Sequence, residues 1–483
     1  MDSLFANFFV QLPPEIWLQV FVILSPSDRY ALSLTCRILF EFVHSFAPFR
    51  VANILGGRPL DVRAIKRLPT ILRCAVEAHW EPSSVRRYGT IIKRNSSTLF
   101  SSHGLSFRML LHSLVHCPQL RHLSISNIDV APPQQEVILT LPRLQTLSLK
   151  AAQFIPTSRA MPASSLIKLR FVHDPGIEGT RYYITHAPYV KYLVTRLAAS
   201  LTTIEFTMSA RHFSHSLFSN SIPHLPHLPN LTTIVQAYPS SFADKDLLPF
   251  LRKNPSVTTL STYVSNSEHW PFSDMSFLPR LHTLICHPVI AEALIPGRPV
   301  RTYHQQLEYL RPCAAPGIAS LLPCLAQGSA MAGLTELQLV TWVTLKQFLV
   351  ILEQNLPRIQ RLYVWLDGEK IYNIPHPAFD YWPHDIRRSS SKTERIGPFP
   401  TLKDIRVFFD KEPKEHSLLE GCRSFFRDWI EPACPVLQTA LFAAAATYED
   451  MKSEEFQSGY YLRLERQAGG WEELQLLDNQ DNH

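Results

Sequence analysis

The sequence predicts an α/β solenoid, with parallel strands on the inside and helices on the outside, preceded by a short three-helix module. One brief apolar motif recurs along most of the chain, and stretches with helical patterning lie between its copies. The first 50 residues carry a different pattern, three closely spaced apolar helical segments.

The composition fits this class. A chain of 483 residues exceeds what one ordinary core needs, so several domains or one extended repeat domain is expected. With 46% hydrophobic and 18% charged residues, the chain is a folding sequence and not a disordered one. Pro is plentiful (38) and Gly scarce (16), which suits many short elements joined by stiff turns and not glycine-rich phosphate loops. The net charge of +6 is not gathered into a Lys/Arg block, so it speaks for solubility and not for a nucleic-acid footprint. The eight cysteines form no CxxC pair and read as small buried hydrophobes.

Leu4, Phe5, Phe8, Phe9 and Val10 are apolar but follow no basic leader, and Pro13, Pro14 and Glu15 interrupt them, which argues against a signal peptide. No apolar run reaches the roughly 20 residues of a membrane helix. The expected location is cytoplasmic and/or nuclear.

The first element begins at Leu12. Pro13 and Pro14 suit the first turn of a helix, where a missing N–H is harmless. Ile16, Val20 and Leu24 then recur at helical spacing, flanked by Trp17, Phe21 and Ile23, so the helix has one face for its own domain and another for a partner. Ser25-Pro26-Ser27-Asp28 forms a turn and N-cap. A second short helix carries Ala31, Leu32, Leu34 and Thr35, and a third carries Ile38, Leu39, Phe42, Val43 and Phe46.

The run Leu12-Pro13-Pro14-Glu15-Ile16, followed by Phe21, Leu24, Asp28, Leu32, Leu34, Cys36, Arg37 and Phe40, resembles an F-box motif in order, spacing and residue type. It departs from the family at Arg29, where an apolar residue is more usual. The resemblance implies a three-helix module that docks on the Skp-type adaptor of a cullin ubiquitin ligase. Carried over by position, the adaptor contacts are Leu12, Pro13, Ile16, Phe21 and Leu24, helped by Leu32, Leu34, Cys36 and Arg37. The plainer alternative is a helical cap that closes the first turns of the solenoid.

The recurring motif reads Pro, variable, apolar, two variable, apolar, variable, apolar. It appears as Pro118–Leu120–Leu123–Ile125 and as Pro142–Leu144–Leu147–Leu149, and returns at Leu166–Leu169–Phe171 and Leu201–Ile204–Phe206. Weaker copies are Leu231–Ile234, Val257–Leu260 and Leu281–Leu284. Stronger ones resume at Leu334–Leu337–Leu339, Ile359–Leu362–Val364 and Leu402–Ile405–Val407, with a last copy at Leu437–Ala440–Phe442. The last two apolar positions are two apart and so share one face of a strand. The first lies across a turn and fills the corner of a coil. Helical patterning recurs between copies at Phe107–Val115, Tyr189–Leu197, Asp246–Leu251, Leu345–Leu352 and Cys422–Ile430. Neither strand nor helix buries its apolar face alone, so stacking the units makes one continuous core.

This pattern resembles the leucine-rich repeat, and an F-box followed by such repeats is a family architecture expanded in fungi. The intervals are uneven, with a long gap between Leu281 and Leu334, and the consensus Asn is mostly missing. The expectation is therefore an irregular leucine-rich-repeat solenoid, against the alternative of an ordinary α/β domain with parallel strands. The division read from sequence is an F-box over 1–50, a connector with the first divergent coils over 51–105, the solenoid over 106–470, and a tail over 471–483. Within the connector, Ala64–Leu68 and Ile71–Val76 read as a helix and a strand.

The residue between the last two apolar positions of each copy, and the next but one, face the concave side. These are Ser124, Ser148, Arg170, Glu205, Gln338, Tyr363, Trp365, Arg406 and Phe408. Tyr363, Trp365, Arg406 and Phe408 gather aromatics and Arg, the types enriched at binding hot spots, and are the candidate target-binding patch. Alternatively the Tyr372–Pro400 loop folds over them and they are core. That loop holds Arg387-Arg388-Ser389-Ser390-Ser391-Lys392, which reads as a plain solvated disordered loop, the alternative being a phosphorylation-controlled segment.

No Walker loop, dinucleotide fingerprint, HExxH or GxSxG is present. His112, His116 and Cys117 lack a fourth metal ligand, and His224 and His227 lack carboxylate partners. The expectation is no catalytic residue, no cofactor, no metal, and no nucleic acid or membrane partner. The function expected from the resemblance is substrate recognition in an SCF-type ubiquitin ligase, with a protein target held by the repeats. The alternatives are a non-catalytic repeat scaffold that drives no target ubiquitination, and a repeat protein whose N-terminal helices are only a cap.

Overall fold

The structure is a computed structural model. It describes residues 51–56, 77–82, 111, 120–126, 129–150, 152–158, 164–173, 180–208, 222–236, 244–262, 270, 274, 276–305, 321, 324–326, 333–341, 345–366, 397–409, 421–444, 461–468 and 470–476. The F-box segment, the Ala64–Leu68 and Ile71–Val76 elements, the metal candidates His112, His116 and Cys117, and most of the Tyr372–Pro400 loop lie outside the described residues. The chain divides into two compact units, Met1–Leu231 and Thr232–His483.

In the first unit, β1 (Val51–Gly56), β2 (Glu77–Pro82), β3 (His122–Ser126), β5 (Thr146–Lys150), β7 (Lys168–His173) and β8 (Thr203–Met208) lie side by side, all parallel. A short parallel pair, β4 (Asp129–Val130) and β6 (Gln153–Phe154), forms a separate two-stranded sheet. The motif fixes the register. Leu123, Leu147, Leu169 and Ile204 stand opposite one another, as do Ile125, Leu149, Phe171 and Phe206. All eight are buried, and the corner residues Leu120, Leu144, Leu166 and Leu201 are at most 3% exposed. Burying each such side chain favours the fold by roughly 1.5–3 kcal/mol, so every coil depends on its neighbours for its core.

Between the strands, α1 (Pro132–Leu139) starts at two prolines, and Gln134 Oε1 accepts from the N–H of Ala131 at 2.8 Å. Its neighbour Gln135 is fully buried, and Nε2 donates to the carbonyls of Val130 and Ile155, both at 2.7 Å. That side chain ties β4 to the strand end after β6. The second helix, α2 (Thr180–Arg196), is longer than its patterned part Tyr189–Leu197, because it continues through Pro188. Proline removes one N–H, and the buried row Val190, Leu193, Val194 and Leu197 anchors the helix beyond it.

In the second unit, β9 (Thr233–Gln236), β10 (Thr259–Ser261), β11 (Thr283–Cys286), β12 (Thr302–Gln305), β13 (Glu336–Thr341), β14 (Arg361–Leu366), β15 (Asp404–Phe409) and β16 (Thr439–Ala444) form a parallel series. One line runs through Ile234, Leu260, Leu284, Tyr303, Leu337, Leu362, Ile405 and Ala440, each at most 1% exposed. The peptide just before the strands repeats one arrangement. The carbonyls of Thr232, Thr258, His282, Arg301, Thr335, Gln360 and Lys403 each accept two N–H groups from the next coil, at 2.8–3.1 Å.

The helices are α3 (Asp244–Lys253), α4 (Pro288–Leu294) and α5 (Leu345–Asn355), and they cover the Asp246–Leu251 and Leu345–Leu352 patterns. The Cys422–Ile430 pattern is helical too, but residues Phe426–Ile430 are a π-helix running into the short turn α6 (Glu431–Ala433). Pro432 lacks an N–H and crowds the carbonyl four residues back, and widening the preceding turn accommodates it.

Two features depart from the sequence reading. The long gap between Leu281 and Leu334 contains a further coil, with Val300 at its corner and Tyr303 on β12, both fully buried. At the other end, β17 (Tyr461–Gln467) and β18 (Gly470–Leu476) form an antiparallel hairpin on the edge of β16. Residues 471–476, read as part of a tail, are therefore most of a strand. The hairpin covers the otherwise open edge of β16, and such an edge invites pairing with other chains.

Candidate functional site

In each parallel series, positions adjacent to the buried line point to the opposite face of the sheet. In the first unit this face carries Ser124, Ser148, Arg170 and Glu205, four of the positions read from sequence. Glu205 lies between two cations, 2.8 Å from Lys168 and 2.9 Å from Arg170. Thr207 donates to the same carboxylate at 3.3 Å.

The second unit carries a denser arrangement across β12–β16. Tyr363 and Arg406 stand opposite one another in register, and the Arg406 guanidinium lies over the Tyr363 ring, 5.2 Å from its centroid. Both reach Asp404 Oδ2, Tyr363 through its hydroxyl at 3.4 Å and Arg406 through Nε at 3.2 Å. Thr439 from β16 donates to the other oxygen at 2.8 Å. Burial, and next the charge of Asp404, push the Tyr363 phenol up to about 12, so it stays protonated as the donor.

Alongside, Glu336 accepts from Nε2 of His304 at 2.8 Å and from Nη1 of Arg361 at 3.2 Å. A carboxylate has no proton to give, so Nε2 of His304 carries the hydrogen. The hydrogen bond from His304, with its charge and that of Arg361 adding, holds the Glu336 carboxyl below its ordinary range despite the opposing effect of burial. The His304 ring meets the Tyr363 ring edge to face at 6.4 Å, which joins the two clusters. At the other end of the strands, Trp365 stacks on Phe408 with centroids 6.3 Å apart and planes 20° apart.

All four residues of the sequence-derived patch thus come together. Their exposures differ, however. Tyr363, Trp365 and Arg406 are half-buried, whereas Phe408 is fully buried. Phe408, expected to face outward with Arg406, is instead buried and stacks against Trp365 from the neighbouring strand, so it offers no contact surface. Gln338, the neighbour of His304 and Tyr363 in register, is also buried.

Sequence reasoning missed His304, Glu336, Arg361, Asp404 and Thr439. His304 sits on the coil whose motif Val300–Tyr303–Gln305 replaces two of the aliphatic positions. The other four each precede the second apolar position of a copy. Carrying the period-two alternation one step backward along the strand finds them.

Among the described residues, no group of three or more His, Cys, Asp or Glu is placed to hold a metal ion, and no helix is long and apolar enough to cross a membrane. His224 and His227 are exposed. The described cysteines Cys286, Cys422 and Cys434 are free and buried, and burial pushes their thiols upward, away from the reactive thiolate.

Comparison with known proteins adds two likenesses. Residues 9–47 match the family described as F-box-like, a span that includes Leu12, Pro13, Ile16, Phe21, Leu24, Leu32, Leu34, Cys36 and Arg37. Among solved structures, the chain is similar to the leucine-rich repeat domain of APL1B, 13% identical over 83% of this chain and 92% of that one, with a TM-score of 0.19. No curated protein matches the chain.

Proposed function

We propose that this chain is a substrate-recognition subunit of an SCF-type cullin ubiquitin ligase. The observation that carries the reading is the F-box-like match over residues 9–47 on the same chain as a series of parallel coils. Leu12, Pro13, Ile16, Phe21 and Leu24, with Leu32, Leu34, Cys36 and Arg37, bind the Skp-type adaptor and through it the cullin. Tyr363, Trp365 and Arg406, with Phe408 behind them, contribute to holding a protein target. The chain itself performs no bond chemistry. It acts by proximity, since holding a target lysine near a charged ubiquitin carrier raises its effective concentration. The place of work is the cytoplasm, the nucleus or both.

The test is co-purification of the intact chain and of Leu12→Ala/Pro13→Ala/Ile16→Ala with a Skp-type adaptor. Capture by the intact chain, lost in the triple variant at unchanged melting temperature, is expected. A folded intact chain that captures no adaptor overturns the reading. A scaffold that drives no ubiquitination is separated by target turnover, which then persists unchanged when the N-terminal module is removed.

A further inference from the structure

The ion pairs on the two sheet faces share one orientation. In the second unit the carboxylate lies deeper than its cation in both central pairs. Side-chain exposure is 19% for Glu336 against 60% for Arg361, and 16% for Asp404 against 29% for Arg406. The first unit repeats this, with Glu205 at 12% beneath Lys168 at 38% and Arg170 at 44%. The acids are also taken up by donors of their own sheet. Asp404 accepts from Thr439, Tyr363 and Arg406, and Glu336 from His304 and Arg361. A guanidinium has five N–H donors. On these carboxylates Arg361 uses Nη1 and Arg406 uses Nε, among the described residues. The two pairs of the second unit cancel in net charge, yet the positive end of each is turned outward.

Spacing narrows the partner. Arg361 stands opposite Asp404, and Tyr363 opposite Arg406, so the two arginines are on adjacent strands two residues out of step. Parallel strands about 4.8 Å apart with a rise of about 3.3 Å per residue put their Cα atoms roughly 8 Å apart. Alternate side chains of an extended peptide repeat at roughly 6.6 Å on one face. Long Arg side chains span that difference, and each planar fork suits a carboxylate. Two residues beyond Tyr363, the Trp365 ring rests on Phe408 and offers an apolar platform at the end of the row. On β17, Arg463 pairs with Glu465 in the same sense, with exposures of 47% for the cation and 25% for the carboxylate.

We propose that this face binds an extended acidic segment of the target, Asp or Glu at alternate positions engaging Arg361 and Arg406, with an apolar side chain on Trp365. The proposal rests on the reading of the chain as a target receptor.

The test uses the full-length chain and fluorescein-labelled peptides of about a dozen residues. One carries alternating Glu followed by Phe, and matched peptides carry Gln, Lys or phosphoserine in place of Glu. In fluorescence anisotropy the Glu peptide is expected to bind more tightly than the Gln and Lys peptides and to weaken as salt rises. Arg361→Gln/Arg406→Gln is expected to weaken it at least ~tenfold with the chain still folded and only a small fall in melting temperature, and Arg361→Lys/Arg406→Lys less. Equal binding of the Gln peptide, preference for the Lys peptide, binding of the phosphoserine peptide alone, or no effect of the Gln pair overturns the proposal. Adaptor capture is measured on the same preparation. Capture without peptide binding removes this inference alone, and peptide binding without capture removes the receptor reading.

Discussion

The Thr439 hydroxyl donates to Oδ1 of Asp404 at 2.8 Å, linking β16 to β15 on the face opposite the core. Asp404 also receives Tyr363 from β14, so one carboxylate joins three successive coils. A stack in which each coil touches its neighbours depends on such links for cooperativity. Replacing Asp404 with Ala is expected to cost about 1–3 kcal/mol, as for other hydrogen bonds to a charged group. Thr439→Val is expected to cost about 1 kcal/mol. Urea unfolding of the two single variants and the double variant checks this. A double-variant loss smaller than the sum marks the coupling, and strict additivity shows that Asp404 is no hub.

Phe408 and Trp365 touch, yet they are expected to respond oppositely to truncation. Phe408 is fully buried, and Phe408→Ala is expected to lower stability by about 3–5 kcal/mol. Trp365 is only half-buried, so Trp365→Ala is expected to shift the melting temperature far less while weakening target capture. Tyr363→Ala and Arg406→Ala are expected to behave like Trp365→Ala. Thermal unfolding and a capture assay on the same preparations separate the two effects. A Trp365→Ala loss of stability as large as that of Phe408→Ala identifies the pair as core.

Much of the coil architecture was legible because one physical constraint repeats. The corner residues and the two strand positions must be apolar to fill the interior, and Leu120, Leu123 and Ile125 or Leu402, Ile405 and Val407 state this openly. Legibility failed where polar side chains solve the same problem. In the coils of β9–β12 the third position is Gln236, Thr262 (just past β10), Cys286 and Gln305, all buried, and Thr262 Oγ1 donates to Gln236 Oε1 at 2.9 Å. A buried polar pair that satisfies itself is tolerated inside but breaks an apolar pattern. The β17–β18 hairpin escaped notice because antiparallel strands repeat no corner motif. The site was half legible, since alternation located Tyr363 and Arg406 but gave no sign of the carboxylate beneath them.

Glu336 makes stability depend on acid. Its carboxyl is held below the ordinary value of 4.5, first by the hydrogen bond from His304. A carboxyl depressed in the folded state contributes stability that is fully present above its unfolded pKa and is lost as pH falls through the lower, folded value. The wild type is therefore expected to lose stability between about pH 4.5 and the more acid range, and Glu336→Gln to lack that component. Urea midpoints for both proteins from neutrality to about pH 3 check the sign. Parallel curves for the two proteins exclude Glu336 as the group responsible.

Arg298 is fully buried and donates to carbonyl groups alone, among the described residues. Nε reaches Phe277 at 2.7 Å, Nη2 reaches Asp274 at 2.8 Å, and Nη1 reaches Ala293, Leu294 and Pro296 at 3.0–3.4 Å. Two of those carbonyls end α4, where the helix leaves oxygens without partners and its dipole favours a cation. The side chain thus closes a helix and ties the carbonyls of Asp274 and Phe277 to it. Burial pulls its pKa down from the ordinary value, with the Asp274 charge acting against that. Arg298→Met is expected to keep the packing but leave several buried carbonyls unpaired, at about 1–3 kcal/mol each for those that find no water. Arg298→Lys keeps the charge but not the planar fork, and is expected to recover only part of the loss. Thermal unfolding of both variants checks this order, and full stability in Arg298→Lys shows that charge alone holds these carbonyls.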